Sequence, residues 1–205
     1  MIKKRKVGIM GGTFDPIHVG HLTLALEAEK QFGLEKVIFM PTGDPWHKAG
    51  KSVSPAIHRS AMVLASLEGH AAFSFSDMEI VRKGTTYTAE TLIQLCQEHP
   101  DCQYYYIVGA DSLDYMERWY RPEVIFEKAV ILAACRKTQT RESFFQKIEE
   151  LKHTYGGDIR FLDIPDIPIS SHEIRDMVKD GKDIARWVVP KVDAYIKEKG
   201  LYQQE

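Results

Sequence analysis

The stretch Gly8 to His21, GIMGGTFDPIHVGH, starts as an apolar strand, breaks on a glycine pair, and then sets two histidines either side of Val19-Gly20. A strand that ends on glycines and runs into a helix is the first unit of a doubly wound α/β sheet. In such sheets ligands bind beyond the carboxyl ends of the strands. Gly11 and Gly12 end the strand, so the loop from Thr13 to Val19 lies at that edge. Glycines let backbone N–H groups approach a ligand closely. The helix that follows points its positive end at the same place, a ready site for phosphate. His18 falls at the helix entry and His21 in its first turn, and a spacing of three puts both on one side. Two imidazoles, a glycine loop and a helix terminus then converge on one anion.

The rest of the chain repeats the alternation. KVGIM, KVIFMP, AAFSFS, QYYYIVGA, AVILAAC and DIRFLDI read as strands, several apolar throughout, as strands buried on both faces must be. Helical patterns lie between them. One starts near Val19, with Leu22, Ala25 and Leu26 on one face. One starts in SPAIHRSAMVLASL, with Ser54 as N-cap and Pro55 as the first helical residue. Others follow Thr88, run through ESFFQKIEELKH, start at Ser170 with Glu173 completing a capping box, and begin after Pro190. The expected fold is a Rossmann-like, mainly parallel sheet with helices on both faces, one domain over 1–205 with a small C-terminal helical extension. No repeat, low-complexity tract or linker breaks it, and TGDPWHKAGKSVS is the longest irregular polar stretch. Long loops in compact domains are often functional.

Composition excludes several classes. The 205 residues are 44% hydrophobic and 27% charged, enough for one substantial core. A formal charge of −2 gives no global positive field for nucleic acid. The basic KKRK at 3–6 reads as a solvated lead-in to the first strand rather than a nuclear signal or nucleic-acid arm. Cys96, Cys102 and Cys135 are odd in number and lack CxxC spacing, so they are expected as free thiols in a reducing compartment. No stretch approaches membrane-spanning length and none has room for a signal-peptide core. The expected location is cytoplasmic.

The opening motif is neither GxGxxG nor a P-loop, since no GK[ST] follows. A zinc reading of the histidine pair lacks HExxH or a cysteine pair to complete it. GGTFDPIHVGH does resemble the signature of the nucleotidylyltransferases that share an HxGH loop, and specifically the bacterial nicotinate mononucleotide adenylyltransferases. KGTTYTAETL resembles that family's substrate-loop motif, YIVGADSL with Trp119 beyond it its strand-end motif, and ISSHEIR its late nucleotide motif. The closing VPKVDAYIKEKGLY is similar to its C-terminus. In the loop after the second strand the chain reads GDPWHK where many members carry Asn, which leaves Asp44 and His47 without an assigned role. His172 stands where Ser or Thr is common.

The resemblance implies transfer of the adenylyl group of ATP to a pyridine mononucleotide, with release of pyrophosphate and no covalent enzyme intermediate. No Ser-His-Asp or Cys-His arrangement is legible, in keeping with that. It implies catalytic roles for His18, His21, Lys48 and Arg175: the histidines on the α- and β-phosphate oxygens, the other two at the leaving pyrophosphate. Gly11, Gly12, Thr13, Phe14, Ser170 and Ser171 fall to ATP. Thr88, Asp111, Trp119 and Tyr120 fall to nicotinate mononucleotide, with Trp119 stacked on the pyridine ring and Asp111 on a ribose hydroxyl or capping a helix. Preference for the acid over the amide is expected from Thr88 or from backbone N–H groups near Trp119 and Tyr120. Mg²⁺ is expected to ride on the ATP phosphates with no dedicated protein ligands. Phosphopantetheine adenylyltransferases usually carry Thr where this chain has His18, and HIGH-class aminoacyl-tRNA synthetases need far longer chains. A silent nucleotide-binding module would keep the glycines without need of all four basic groups.

Overall fold

The computed structural model describes residues 4–45, 53–82, 84–135 and 140–203; Lys48 and His47 lie outside them. The six segments read as strands form one parallel sheet. They are β1 (Arg5–Gly12), β2 (Lys36–Pro41), β4 (Phe73–Phe75), β6 (Cys102–Gly109), β7 (Ala129–Ala134) and β8 (Ile159–Leu162), in the order β4-β2-β1-β6-β7-β8. Two short strands, β3 (Asp44–Pro45) and β5 (Thr85–Thr86), pair separately. Counting along the large sheet only, this is the doubly wound order 3-2-1-4-5-6, whose direction reverses between β1 and β6.

Side chains of successive strand residues point to opposite faces, and each face is packed. Tyr105, Ile107, Val130, Leu132 and Ala134 enter one core with α1 (Val19–Phe32), α2 (Ala56–Leu67), α8 (Ser171–Lys179) and α9 (Pro190–Lys199). Tyr104, Tyr106, Val108, Ala129, Ile131 and Ala133 enter the other with α4 (Thr88–Glu98), α6 (Pro122–Lys128) and α7 (Arg141–Tyr155). Burial on both faces is why these strands are apolar throughout.

Three differences from the sequence reading bear on the site. Ser54 does not cap α2: Pro55 is the N-cap residue and makes no side-chain bond, while Ser54 turns its N–H to Asp15 Oδ2 at 3.1 Å and its carbonyl to Arg59. The short helices α3 (Met78–Val81) and α5 (Ala110–Tyr115), and the 3₁₀ turn Met116–Arg118, were not anticipated. Asp111 does not cap α5; that position is held by Gly109, and Asp111 lies in the first turn.

Candidate active site

A cavity of about 950 Å³ opens at the carboxyl ends of β1 and β6, where the strand order reverses. Gly11, Gly12, Thr13, His18, His21, Thr88, Asp111, Trp119, Ser170 and Ser171 all line it. Residues more than a hundred positions apart in sequence thus meet at one sheet edge. That volume lies at the upper end of small-ligand pockets.

The two histidines build the entry of α1. His18 is the N-cap residue, with extended backbone, and its Nδ1 accepts from the Gly20 N–H at 3.1 Å. The His18 N–H in turn donates to His21 Nδ1 at 3.3 Å. This is a capping box made from imidazoles instead of a hydroxyl and a carboxylate. It explains the glycine between them: a Cβ on Gly20 would stand 3.0 Å from the His18 ring. It also assigns the tautomers. A ring nitrogen that accepts carries no proton, so each neutral ring carries its proton on Nε2. A second proton would have to displace an N–H from Nδ1. The histidines therefore cap the helix and present donors at the same time.

Phe14 is not a lining residue. It adopts φ +51 and buries its ring to 1% exposure, edge-on to His21 at 5.0 Å between centroids. Left-handed backbone at a bulky residue is strained, and here it seats the ring beneath the histidine.

The loop between β1 and α1 is tied from behind. Arg59 donates to the Thr13 carbonyl at 2.9 Å, Arg175 Nη1 to the Asp15 carbonyl at 2.7 Å, and the Ser171 hydroxyl to the Pro16 carbonyl at 2.8 Å. The Asp15 carboxylate accepts from the Tyr202 hydroxyl at 2.7 Å. Arg59 and Asp15 are buried, and sequence reading passed over both, with Tyr202. Arg175 is thus a brace of the phosphate loop and does not line the cavity; its Nη2 stands 3.3 Å from His172 Nδ1. Ser170 caps α8 as expected, accepting from the Glu173 N–H at 3.2 Å and donating to its carboxylate at 2.7 Å.

On the other side, Thr88 is the first residue of α4, and its hydroxyl lies 3.4 Å from the Tyr106 hydroxyl. Burial pushes the Tyr106 phenol far up, so it stays protonated and can donate to Thr88. The Thr88 proton is then available to a ligand. Tyr106 crowds the end of β1: a Cβ on Gly11 would stand 2.5 Å from its hydroxyl oxygen. The Trp119 indole stands edge-on to Tyr106 at 6.1 Å. Its backbone N–H is taken by the Met116 carbonyl at 3.0 Å, which removes one of the alternative acid-selecting donors. Tyr120 is 46% exposed, lies against Tyr87 at 4.4 Å, and is not a lining residue. Glu79, Thr86 and Tyr106 line the cavity without having been expected there. Cys135 lines it too, but burial raises its pKa and keeps the thiol protonated, a poor nucleophile.

Comparison with known proteins fits this geometry. A cytidylyltransferase-like family model matches residues 9–177. A protein of Lachnoclostridium phytofermentans named "Probable nicotinate-nucleotide adenylyltransferase" is 43% identical, over 97% of this chain and 99% of its own length. A protein of the same name from Saccharopolyspora erythraea is 40% identical, over 100% of this chain and 93% of its own. Among solved structures, a Plasmodium falciparum nicotinic acid mononucleotide adenylyltransferase complexed with APC superposes with a TM-score of 0.78. It covers 97% of each chain at 20% identity, a likeness of fold.

Proposed function

The chain belongs to the cytidylyltransferase-like family, among the nicotinate-nucleotide adenylyltransferases, and from that membership we propose how its cavity works. It transfers the adenylyl group of ATP to nicotinate mononucleotide, forming nicotinate adenine dinucleotide and pyrophosphate in NAD biosynthesis. The observation that carries the mechanism is the imidazole capping box at the sheet's reversal point.

The mononucleotide phosphate is already an anion at neutral pH, so its oxygen attacks the α-phosphorus without a strong base. As that bond forms, the bond to the β-phosphate oxygen breaks and pyrophosphate leaves with the electron pair. Two anions must be brought together, and charge builds on the α-phosphate and the leaving group. Catalysis is then positioning plus electrostatic stabilisation. His18 and His21 supply Nε2–H donors to those oxygens. Gly11, Gly12, Thr13, Ser170 and Ser171 cradle ATP, with Phe14 acting through the His21 ring. Lys48 serves the leaving pyrophosphate, and Arg175 supports it from behind by holding the Asp15 carbonyl of the loop. Trp119 holds the pyridine ring, Asp111 a ribose hydroxyl, and Tyr120 with Tyr87 the rim.

Among the described residues no three His, Cys, Asp or Glu gather as metal ligands. Mg²⁺ arriving on the ATP phosphates would neutralise part of their charge, and the donors above bind what remains. Also among the described residues, no helix is long and apolar enough to cross a membrane. One domain acting in the cytoplasm is the reading we adopt.

The test is pyrophosphate release from ATP with nicotinate mononucleotide, nicotinamide mononucleotide or phosphopantetheine as acceptor. The nicotinate compound is expected to be used best. Stacking on Trp119 is nearly blind to acid against amide, so selection falls to the start of α4. A helix N-terminus favours an anion by about 0.3–1 kcal/mol, up to about 2 when partly buried. A charge-assisted bond from Thr88 adds roughly 1.5–3 kcal/mol. Thr88→Ala should narrow the acid-to-amide ratio of kcat/KM chiefly by hurting the acid. An unchanged ratio would move selection away from Thr88.

Arg175→Lys gives a second check. Lysine can reach the Asp15 carbonyl or His172 but lacks the fork to do both. Losing one charge-assisted bond, roughly 1.5–3 kcal/mol, should lower kcat by roughly 10- to 160-fold. A fully active Arg175→Lys enzyme would show that one point charge suffices.

A further inference from the structure

Glu79 is a carboxyl that the chemistry above does not use. It lies in α3, is 7% exposed, and lines the cavity together with Thr86, Thr88, Tyr106 and Trp119. Its Oε1 accepts from the Thr91 hydroxyl at 2.8 Å, and Thr91 accepts from Arg82 Nη1 at 3.0 Å. The other Arg82 nitrogen, Nη2, binds Gln94 Oε1 at 2.7 Å. The cation therefore reaches the carboxyl through a hydroxyl. The buried Thr86 hydroxyl is close enough to ease the carboxyl's charge, yet makes no hydrogen bond of proper geometry.

We propose that Glu79 determines specificity by its charge, setting how strongly the cavity prefers an acid over an amide on the pyridine ring. The proposal rests on the adenylyl-transfer reading above. Tyr106 connects Glu79 to Thr88. Its hydroxyl lies 3.4 Å from that of Thr88, the residue assigned to the ring's acid group, and its phenol feels the Glu79 charge. A charge on a buried wall is weakly screened by water and salt. Nicotinate mononucleotide carries a carboxylate on its ring and the amide counterpart does not. An ionised Glu79 therefore opposes the acid alone, and a neutral one opposes neither.

Among the described residues, the groups that face Glu79 are Arg82 beyond its own helix, Thr91 on α4, Thr86 on β5 and Tyr106 on β6. In β2, which also packs on α3, the charged residue is Lys36, at the strand's far end. Burial raises the Glu79 pKa above the ordinary carboxylate value, against the lowering pull of Thr91, Arg82 and Thr86. Below that pKa the group is neutral and the acid is favoured in full. The preference is lost as the pH rises through it.

The experiment measures kcat/KM for both mononucleotides from about pH 5 to about pH 9 and takes their ratio. The ratio cancels what the substrates share, including titration of their phosphates and of the histidines. In the natural protein the acid-to-amide ratio should fall by roughly three- to tenfold with rising pH, a coupling of up to about one pKa unit. Glu79→Gln should flatten the ratio at or above its low-pH value. Thr91→Val removes the hydroxyl donor, so the fall should shift to higher pH; this variant serves if Glu79→Gln does not fold. A pH-independent ratio in the natural protein, with both substrates used, overturns the role of Glu79 and leaves adenylyl transfer standing. A fall that persists in Glu79→Gln overturns it as well. Failure to use either mononucleotide overturns the reading beneath it.

Discussion

His18→Asn should fold like the natural protein and turn over roughly 100- to 1,000-fold more slowly, the usual cost of one lost oxyanion donor. Asparagine carries its amide oxygen about where Nδ1 sits, and it is among the preferred N-cap residues. The Gly20 N–H, now 3.1 Å from His18 Nδ1, keeps its acceptor. Nothing in asparagine reaches the place of Nε2. Glutamine does the converse, with a donor near Nε2 and no acceptor at Nδ1. His18→Gln should therefore keep more turnover than His18→Asn while losing stability by about 0.5–2 kcal/mol, the worth of a cap. The same pair applies at His21, whose Nδ1 accepts from the His18 N–H at 3.3 Å. Alanine at either position loses both functions, so it should lower turnover and stability together. Steady-state pyrophosphate release and urea unfolding on the same samples separate the two roles. Near-natural turnover in His18→Asn would reduce the ring to a cap.

The strands were legible because burial on both faces leaves a simple trace: uninterrupted apolar runs between polar breaks. QYYYIVGA and AVILAAC were read as strands on that signal, and both lie inside the sheet with a neighbour on either side. The short elements were not legible, for the same reason inverted. MEIV and ADSLDY span about one or two turns, too few residues to show a period. Both carry cavity residues, Glu79 on one and Asp111 on the other. The phosphate loop was found because glycines, histidines and a helix start coincide in one stretch. Its supports were missed because they come from residues far apart in sequence. Asp15, Arg59 and Tyr202 meet only after the C-terminal turn has folded back onto α2 and the loop. One of them did leave a mark. Arg59 shares the buried stripe of α2 with Met62, Val63 and Ser66, and an arginine on an apolar face is out of place unless it is held by partners.

Those partners make Arg59→Met the substitution with the largest expected effect on stability. The side chain is 2% exposed and donates to three carbonyls: Thr13 at 2.9 Å, Ser54 at 2.9 Å and Gly43 at 3.3 Å. Burial pulls its pKa down, and the nearby Asp15 carboxylate pulls it back up. Methionine fills much of the volume but satisfies none of the carbonyls. It also takes the guanidinium away from the Asp15 carboxylate, 3% exposed, which among the described residues accepts from the Tyr202 hydroxyl and the Ser54 N–H. Breaking a buried charge cluster from one side costs about 3–5 kcal/mol. For a domain of this size that lowers Tm by roughly 6–20 °C. Arg59→Lys keeps the charge and can serve one carbonyl at a time, so it should fall between the two. The loss reaches catalysis through Thr13, whose carbonyl is held from behind while the residue lines the phosphate cavity. At a temperature where Arg59→Met remains folded, kcat should still be reduced, with KM for ATP changed less, because the loop loses its setting for the transition state rather than its contacts with the ground state. A Tm within a few degrees of the natural protein would mean that water replaces the guanidinium, and that the loop is held by Arg175, Ser171 and Tyr202 alone.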